Sequence, residues 1–552
     1  MSMNQPFFDA QPYASQRAPV YARNVVATSQ PLAAQAGLQM LRQGGNAVDA
    51  AIATAIALTV VEPTSNGIGS DGFAIVSDPA SPNQLIGLNA SGRSPAAWDE
   101  AYFAKRYPQR SDMPDRGWDS VTVPGAVSQW VALSQRFGKL DFAQLFTPAI
   151  GYARDGFLVS PITAHSWGRQ IQTLSAKPEC ASLVSAFTHN GNAPKTAELW
   201  RFPAQAHTLE LIAKTNGVAF YRGVLAQQMV DDAKRHGGAL TMADLAEHQA
   251  DWVTPISVRY RDVALHEIPP NGQGLAALIA LGILENFNLK QYAADSAETI
   301  HLQIEAMKLA FADAHRYIAD SAAMDVTVEA LLAPAYLKQR AALISMQEAK
   351  PVTFGLPKHG GTIYLATADN NGMMCSLIQS NYMGFGAGVV VPNTGISLQN
   401  RGAGFNRITG HPNCVAPKKR PFQTIIPGFL TDANGAPRMS FGVMGGPMQP
   451  QGHIQMVIRM IDYGQNPQTA SDAPRWVVNP DYTIGLETAV NGGFPASVIE
   501  ALEAKGHKIA PAEMQSFAYG GAQLIWRLDD GDLLRGYVAG SDHRKDGGAV
   551  GF

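Results

Sequence analysis

Residues 360–372 read GGTIYLATADNNG. Two glycines, then a threonine, then a run of strand-forming residues predict a strand from Thr362 to Ala368. The Asn371-Gly372 pair suits a type I′ turn, and Met373 to Ser380 supplies the returning strand of a hairpin. Upstream, PVTFGLPKHGG (351–361) holds prolines and glycines with no sustained period, which predicts an irregular linker. Thr362 therefore heads a strand at the open end of a sheet. Threonines are common at strand starts, so position says little, but the chemistry available there is specific. If the Gly361–Thr362 peptide is cut, one residue owns both a hydroxyl nucleophile and an α-amine. Such an amine, with a pKa of about 7.7 to 8.0, is a suitable general base near neutral pH.

Outward from this hairpin, TDANG (431–435) is a second turn signal of the same kind, so the last third of the chain reads as strand-rich. The first two thirds read as helix-rich. Ser29 is placed to cap a helix that runs through Pro31 and stops at Gly44-Gly45, and a second helix starts near Asn46. The run Ala47 to Val61 carries Asp49 and is too short to cross a bilayer, so it predicts a buried helix. The Gly67 to Gly72 turn follows, then strands at Phe73–Val76 and Leu85–Leu88. Farther on, Ile300, Ile304, Met307, Phe311 and Ile318 recur at near-helical spacing, predicting a helix on one face of a sheet.

Composition removes several classes of function. The 552 residues carry a net charge of −3, so no strong field exists to recruit nucleic acid or an anionic membrane. Charged residues make up 16%, against a usual ~25%, and 52 glycines point to tight turns in a heavily buried globule. Cys180, Cys375 and Cys414 form no CxxC pair, which excludes a disulfide framework. The first 21 residues lack an apolar signal core, making a cytoplasmic location the default expectation. The 13 histidines include no HExxH and no close triplet, so no metal is expected. Gly67-Ile-Gly69-Ser-Asp-Gly72 matches GxGxxG, but a helix precedes it and a strand follows, the reverse of a dinucleotide site. That turn is read as structural, letting backbone pass close to something, and no cofactor is expected. Gly384-Phe-Gly386-Ala-Gly388 is equally weak as a phosphate loop, and no GxSxG elbow occurs.

The residues around Thr362, with stretches along nearly the whole chain, resemble the γ-glutamyltransferase family of N-terminal-nucleophile hydrolases. Among them are AAQAGLQMLRQGGNAVDAAIA (33–53), EPTSNGIGSDGF (62–73), VPGAVSQW (123–130), IPPNGQG (268–274), GFGAG (384–388), KRPF (419–422), MGGPMQPQG (444–452) and the ending SDHRKDGGAVGF. The resemblance implies an α+β fold, a four-layer αββα sandwich made as one inactive precursor. Self-cleavage between Gly361 and Thr362 would leave a large subunit, 1–361, and a small one, 362–552, together one αββα unit, with a dimer of processed heterodimers as a further expectation. It also implies roles. Thr362 attacks the substrate carbonyl, the N–H groups of Gly445 and Gly446 receive the oxyanion, Ser380 hydrogen-bonds the nucleophile, and Arg93 binds a substrate carboxylate, with an ion pair as the rival reading.

Departures from the family pattern narrow the expected substrate. Where glutathione-type members hold the substrate's α-ammonium with an acid pair and an asparagine, this chain has Arg401, Gly404 and Tyr382. A cation there repels an ammonium and attracts a carboxylate or carbonyl oxygen. The family's hydroxyl pair near the oxyanion reads Gln423-Thr424, half retained, and the segment Phe405 to Lys419 is shorter than a lid-bearing loop. The expectation is an amidohydrolase for a small amide with a carboxylate and no α-amino group, closest in description to an oxamate amidohydrolase. Rival readings are a γ-glutamyl hydrolase or transferase, a glutaryl-type acylase, an unprocessed binding protein and, on Gly67 to Gly72 alone, a nicotinamide oxidoreductase.

Overall fold

A computed structural model describes residues 16–351, 361–488, 493–511, 519–530 and 533–552. Two seven-stranded sheets, antiparallel throughout, form its middle. One runs in spatial order Gly548–Gly551, Val25–Thr28, Gly361–Ala368, Met374–Tyr382, Asp71–Ser77, Leu85–Asn89 and Asp251–Val253. The other runs Val20–Ala22, Leu533–Ser541, Gly521–Asp530, Pro437–Met444, Gly428–Asp432, Val263–Glu267 and Ile256–Tyr260. Strands from before and after residue 361 interleave in both.

The four layers follow from the two-residue period of strands. In Gly361–Ala368, Ile363 and Leu365 turn toward a helical layer that includes Ala47–Val61, while Tyr364, Ala366 and Ala368 turn toward the other sheet. In Pro437–Met444, Met439, Phe441 and Val443 face the second helical layer. Burying both faces requires apolar residues at consecutive positions, which is why the central strands read as unbroken apolar runs. The sheets approach closely where Gly442 lies under the Tyr364 ring, and a Cβ on Gly442 would come within 2.5 Å of that ring. This is the expected αββα sandwich.

Helix Ala47–Val61 is buried at all 15 positions, as its sequence predicts, and starts on a capping box in which Asn46 and Asp49 satisfy each other's backbone N–H. The preceding helix, Pro31–Arg42, departs from expectation. Its cap is Gln30, whose side-chain oxygen accepts from Leu32 and Ala33, whereas Ser29 donates to Glu62. Ser29 is withdrawn because its hydroxyl donates to the buried Glu62 carboxyl instead of accepting from helix N–H groups. Helix Gly274–Leu284 lies on Ile256–Tyr260 and Val263–Glu267, and the long helix Ala297–Tyr317 packs chiefly on that helix rather than on a large sheet.

The turn of the nucleophile hairpin also differs. Type I′ geometry needs two positive-φ residues, but Gly372 alone takes one, at 95°. Asp369 Oδ1 instead accepts from the N–H groups of Asn371 and Met373, making a three-residue loop with glycine in the left-handed position. The same solution recurs at 432–436, where Asp432 Oδ1 accepts from Asn434 and Ala436 and Gly435 has φ 86°. No helix among the described residues is long and apolar enough to cross a membrane.

Candidate active site

Thr362 is the second residue of its strand and is 2% exposed. Opposite it the partner strand carries one extra residue, since Gly361 pairs with Tyr382 but Ile363 with Gln379. Such a bulge re-aims side chains. Here the Thr362 hydroxyl donates to Ser380 Oγ at 3.2 Å, and Ser380 Oγ also accepts from the Tyr382 N–H at 2.8 Å. The expected pairing of Thr362 with Ser380 is thus present in the geometry. Thr362 Oγ1 in turn accepts from Gln449 Nε2 at 3.2 Å.

Tyr382 reaches this position in the left-handed region, φ 76°, which is strained for a side chain of its size. The strain is held from both sides. Asn381 N–H donates to Ser65 O and Asn400 N–H to Asn381 O, while the Asn381 side chain bonds Ser70 and Ser397. This is the use of the Gly67 to Gly72 turn. Gly69 pairs with the 397–398 backbone, and a Cβ on it would lie 2.5 Å from Ser397 O, so backbone does pass close, as expected of that turn.

Gly445 and Gly446, with φ 127° and 61°, form the sharp step between strand Pro437–Met444 and helix Met448–Ile461. Both values favour glycine. Gln273 Nε2 clamps the step to its neighbour, donating to Gly446 O at 2.9 Å and to Thr424 O at 2.6 Å.

Arg401 is fully buried, with its guanidinium 4.7 Å from the Tyr382 ring centroid and Nη1 donating to Thr424 Oγ1 at 2.8 Å. Its Nε and Nη2 have no hydrogen-bond partner. Burial pushes the guanidinium down to about 10, opposed by the charge of Asp71. Asp71 is also fully buried, accepts from Gly92 N–H and Gln423 Nε2, and is pushed up to about 6 by burial against the pull of Arg401. Gly404 closes the same short turn as Arg401, its carbonyl accepting from Asn413.

Arg93 adjoins Gly92, whose N–H donates to Asp71 Oδ1. Its guanidinium, 44% exposed, pairs with Asp320 at 3.2 Å and Asp251 at 3.8 Å and donates to Lys418 O. The Phe405 to Lys419 segment folds onto Trp98 and Phe103 through Phe405 and Val415. Histidines do gather, although no sequence spacing announces it: His301, Glu305 and His507 bring ligand-type atoms within 4.8 Å. Lys308 Nζ stands 2.8 Å from Glu305 Oε1, where a cation would lie, and His301 and His507 hydrogen-bond each other.

Of the residues named from the sequence, the fold brings Thr362, Ser380, Tyr382, Thr424, Arg401, Gly445 and Gly446 into one neighbourhood, and it adds Asp71, Gln273 and Gln449, which sequence reasoning did not name. All three sit inside motif stretches already quoted, in EPTSNGIGSDGF, IPPNGQG and MGGPMQPQG.

Comparison with known proteins gives the family and the fold. The family model described as Gamma-glutamyltranspeptidase matches residues 33–552. The chain is 36% identical over 536 residues to the glutathione hydrolase-like YwrD proenzyme of Bacillus subtilis, covering 96% of this chain and 98% of that protein. It is 35% identical over 530 residues to the oxamate amidohydrolase proenzyme of Klebsiella pneumoniae, covering 94% and 97%. Among solved structures, the cephalosporin acylase from Bacillus halodurans superposes with a TM-score of 0.91 at 46% identity over 99% of this chain and 98% of that one.

Proposed function

The chain belongs to the gamma-glutamyltranspeptidase family of N-terminal-nucleophile hydrolases, and from that premise we propose that it cuts itself before Thr362 and then hydrolyses a small amide whose acyl part carries a carboxylate and no α-ammonium. Oxamate, cleaved to oxalate and ammonia, is the favoured substrate. In this reading the Thr362 hydroxyl attacks the amide carbon while its own freed α-amine takes the proton. The oxyanion rests on the N–H groups of Gly445 and Gly446. The C–N bond breaks, the leaving nitrogen takes the proton, and water then releases the acyl group from the threonyl ester.

One observation carries the substrate class: Arg401 is buried with two nitrogens unpaired. A guanidinium held this way by Thr424 and Tyr382 gains from a carboxylate that completes its hydrogen bonds, and it opposes an ammonium. Arg93 would be the second carboxylate partner only after giving up Asp320 and Asp251. A second reading, a glutaryl-type acylase, is favoured by the 46% identity to a cephalosporin acylase, since a glutaryl group also has a carboxylate without an α-ammonium.

Oxamate, glutaryl-p-nitroanilide and glutathione assayed side by side separate the readings. Oxamate is expected to turn over fastest and glutathione slowest, and a preference for glutathione would overturn the role given to Arg401. A denaturing gel of the purified protein should show two fragments, and Thr362→Ala one. A single band from the unmutated chain would favour a binding protein instead.

A further inference from the structure

We infer that Gln449 is a catalytic residue: its carboxamide is a hydrogen-bond donor to the nucleophile oxygen, stabilising Thr362 Oγ when that atom carries negative charge. This rests on the reading of Thr362 as nucleophile.

Gln449 is fully buried in the first turn of helix Met448–Ile461, three residues beyond Gly446. Which end of its amide faces the threonine is decided by a second contact. The backbone N–H of Ile426 donates to Gln449 Oε1 at 2.9 Å, and a backbone N–H cannot be satisfied by an NH2 group. Nε2 must therefore point the other way, where it lies 3.2 Å from Thr362 Oγ1. The backbone of the same residue donates to Gly446 O at 3.1 Å, so one helix start orients both the glycine step and this donor.

The chemistry follows from the charge at Oγ. On attack the hydroxyl proton passes to the α-amine and the C–Oγ bond forms, with the Gln449 N–H occupying one lone pair and leaving another for the carbonyl carbon. In release of the acyl group, water adds to the ester carbon and gives up a proton to the amine. The C–Oγ bond then breaks, its electron pair goes to Oγ, and Oγ recovers a proton from the α-ammonium. Oγ is most negative in that collapse, so a donor already in place acts mainly on this step.

Gln449→Met and Gln449→Glu test the inference, with self-cleavage at the Gly361–Thr362 bond followed on gels and glutaryl-p-nitroanilide as the turnover probe. Gln449→Met should slow self-cleavage and lower kcat by about 10²-fold, the typical loss of one oxyanion donor, with KM little changed. Intact mass of the 362–552 fragment should show a retained acyl adduct absent from the unmutated enzyme. Gln449→Glu keeps an acceptor for Ile426, and its activity relative to the unmutated enzyme at the same pH should rise as pH falls, because only the protonated acid can donate to Oγ, while protonation of the α-amine slows both proteins alike. Turnover and cleavage of Gln449→Met within twofold of the unmutated chain would overturn the inference, as would a Gln449→Glu pH profile that matches it. If the unmutated chain is intact at Gly361–Thr362, the nucleophile assignment itself fails, and this role with it.

Discussion

The guanidinium of Arg401 has one face on the Tyr382 ring, one hydrogen bond to Thr424 and two nitrogens without partners. Lysine retains the charge there but loses the planar fork that grips a carboxylate through two parallel bonds. Arg401→Lys is therefore expected to raise KM for oxamate or glutaryl-p-nitroanilide at least about tenfold, the equivalent of ~1.4 kcal/mol. Self-cleavage should proceed at its normal rate, because that reaction brings no carboxylate to Arg401. An unchanged KM, measured by steady-state kinetics, would place the substrate carboxylate elsewhere.

Two elements show how charge is buried to hold helices in register. Asp369 uses one oxygen for its own hairpin turn and the other to accept from Ala47 N–H at 2.9 Å, tying the hairpin to the start of helix Ala47–Val61. At the far end of that helix, Glu62 accepts from Ser29, and burial pushes its carboxyl up to about 7, with Lys545 and Ser29 opposing. A raised carboxyl pKa means the native state holds the proton more tightly than the unfolded chain. Its contribution to stability is complete below the ordinary value of 4.5 and is lost as pH rises to about 7. Glu62→Gln removes the titration. The fall in urea-unfolding free energy between pH 5 and pH 8 should shrink in the variant by up to about 3 kcal/mol. Equal pH slopes in the two proteins would contradict this.

At the scale of the molecule, the bond proposed to be cut lies inside a sheet. Gly361–Ala368 is paired on one side with Val25–Thr28 and on the other with Met374–Tyr382, and the C-terminal strand Gly548–Gly551 pairs with Val25–Thr28 as well. Asp546 accepts from Ser160, Ile162 N–H and Thr163, and Arg17 donates to the carbonyls of Asp542 and Lys545. Cutting one peptide removes none of these bonds. Fragments 1–361 and 362–552 should co-elute on size exclusion in buffer and separate only in denaturant; separate elution in buffer would refute this.

What residues alone determined is considerable: the buried helix at Ala47–Val61, the strand headed by Gly361 and Thr362, and the positions of both hairpins. These are local matters, decided by propensity, period and glycine placement within a dozen neighbours. The turn type at Asn371-Gly372 and the cap at Ser29 went the other way, because Asp369 and Glu62 competed for the same groups. Tertiary structure alone decided that Gln449 meets Thr362, 87 residues away, and that Asp71 stands behind Arg401. Its means are strand register and one bulge, which choose the face on which each side chain emerges, and no short window of sequence contains the partner strand that sets them.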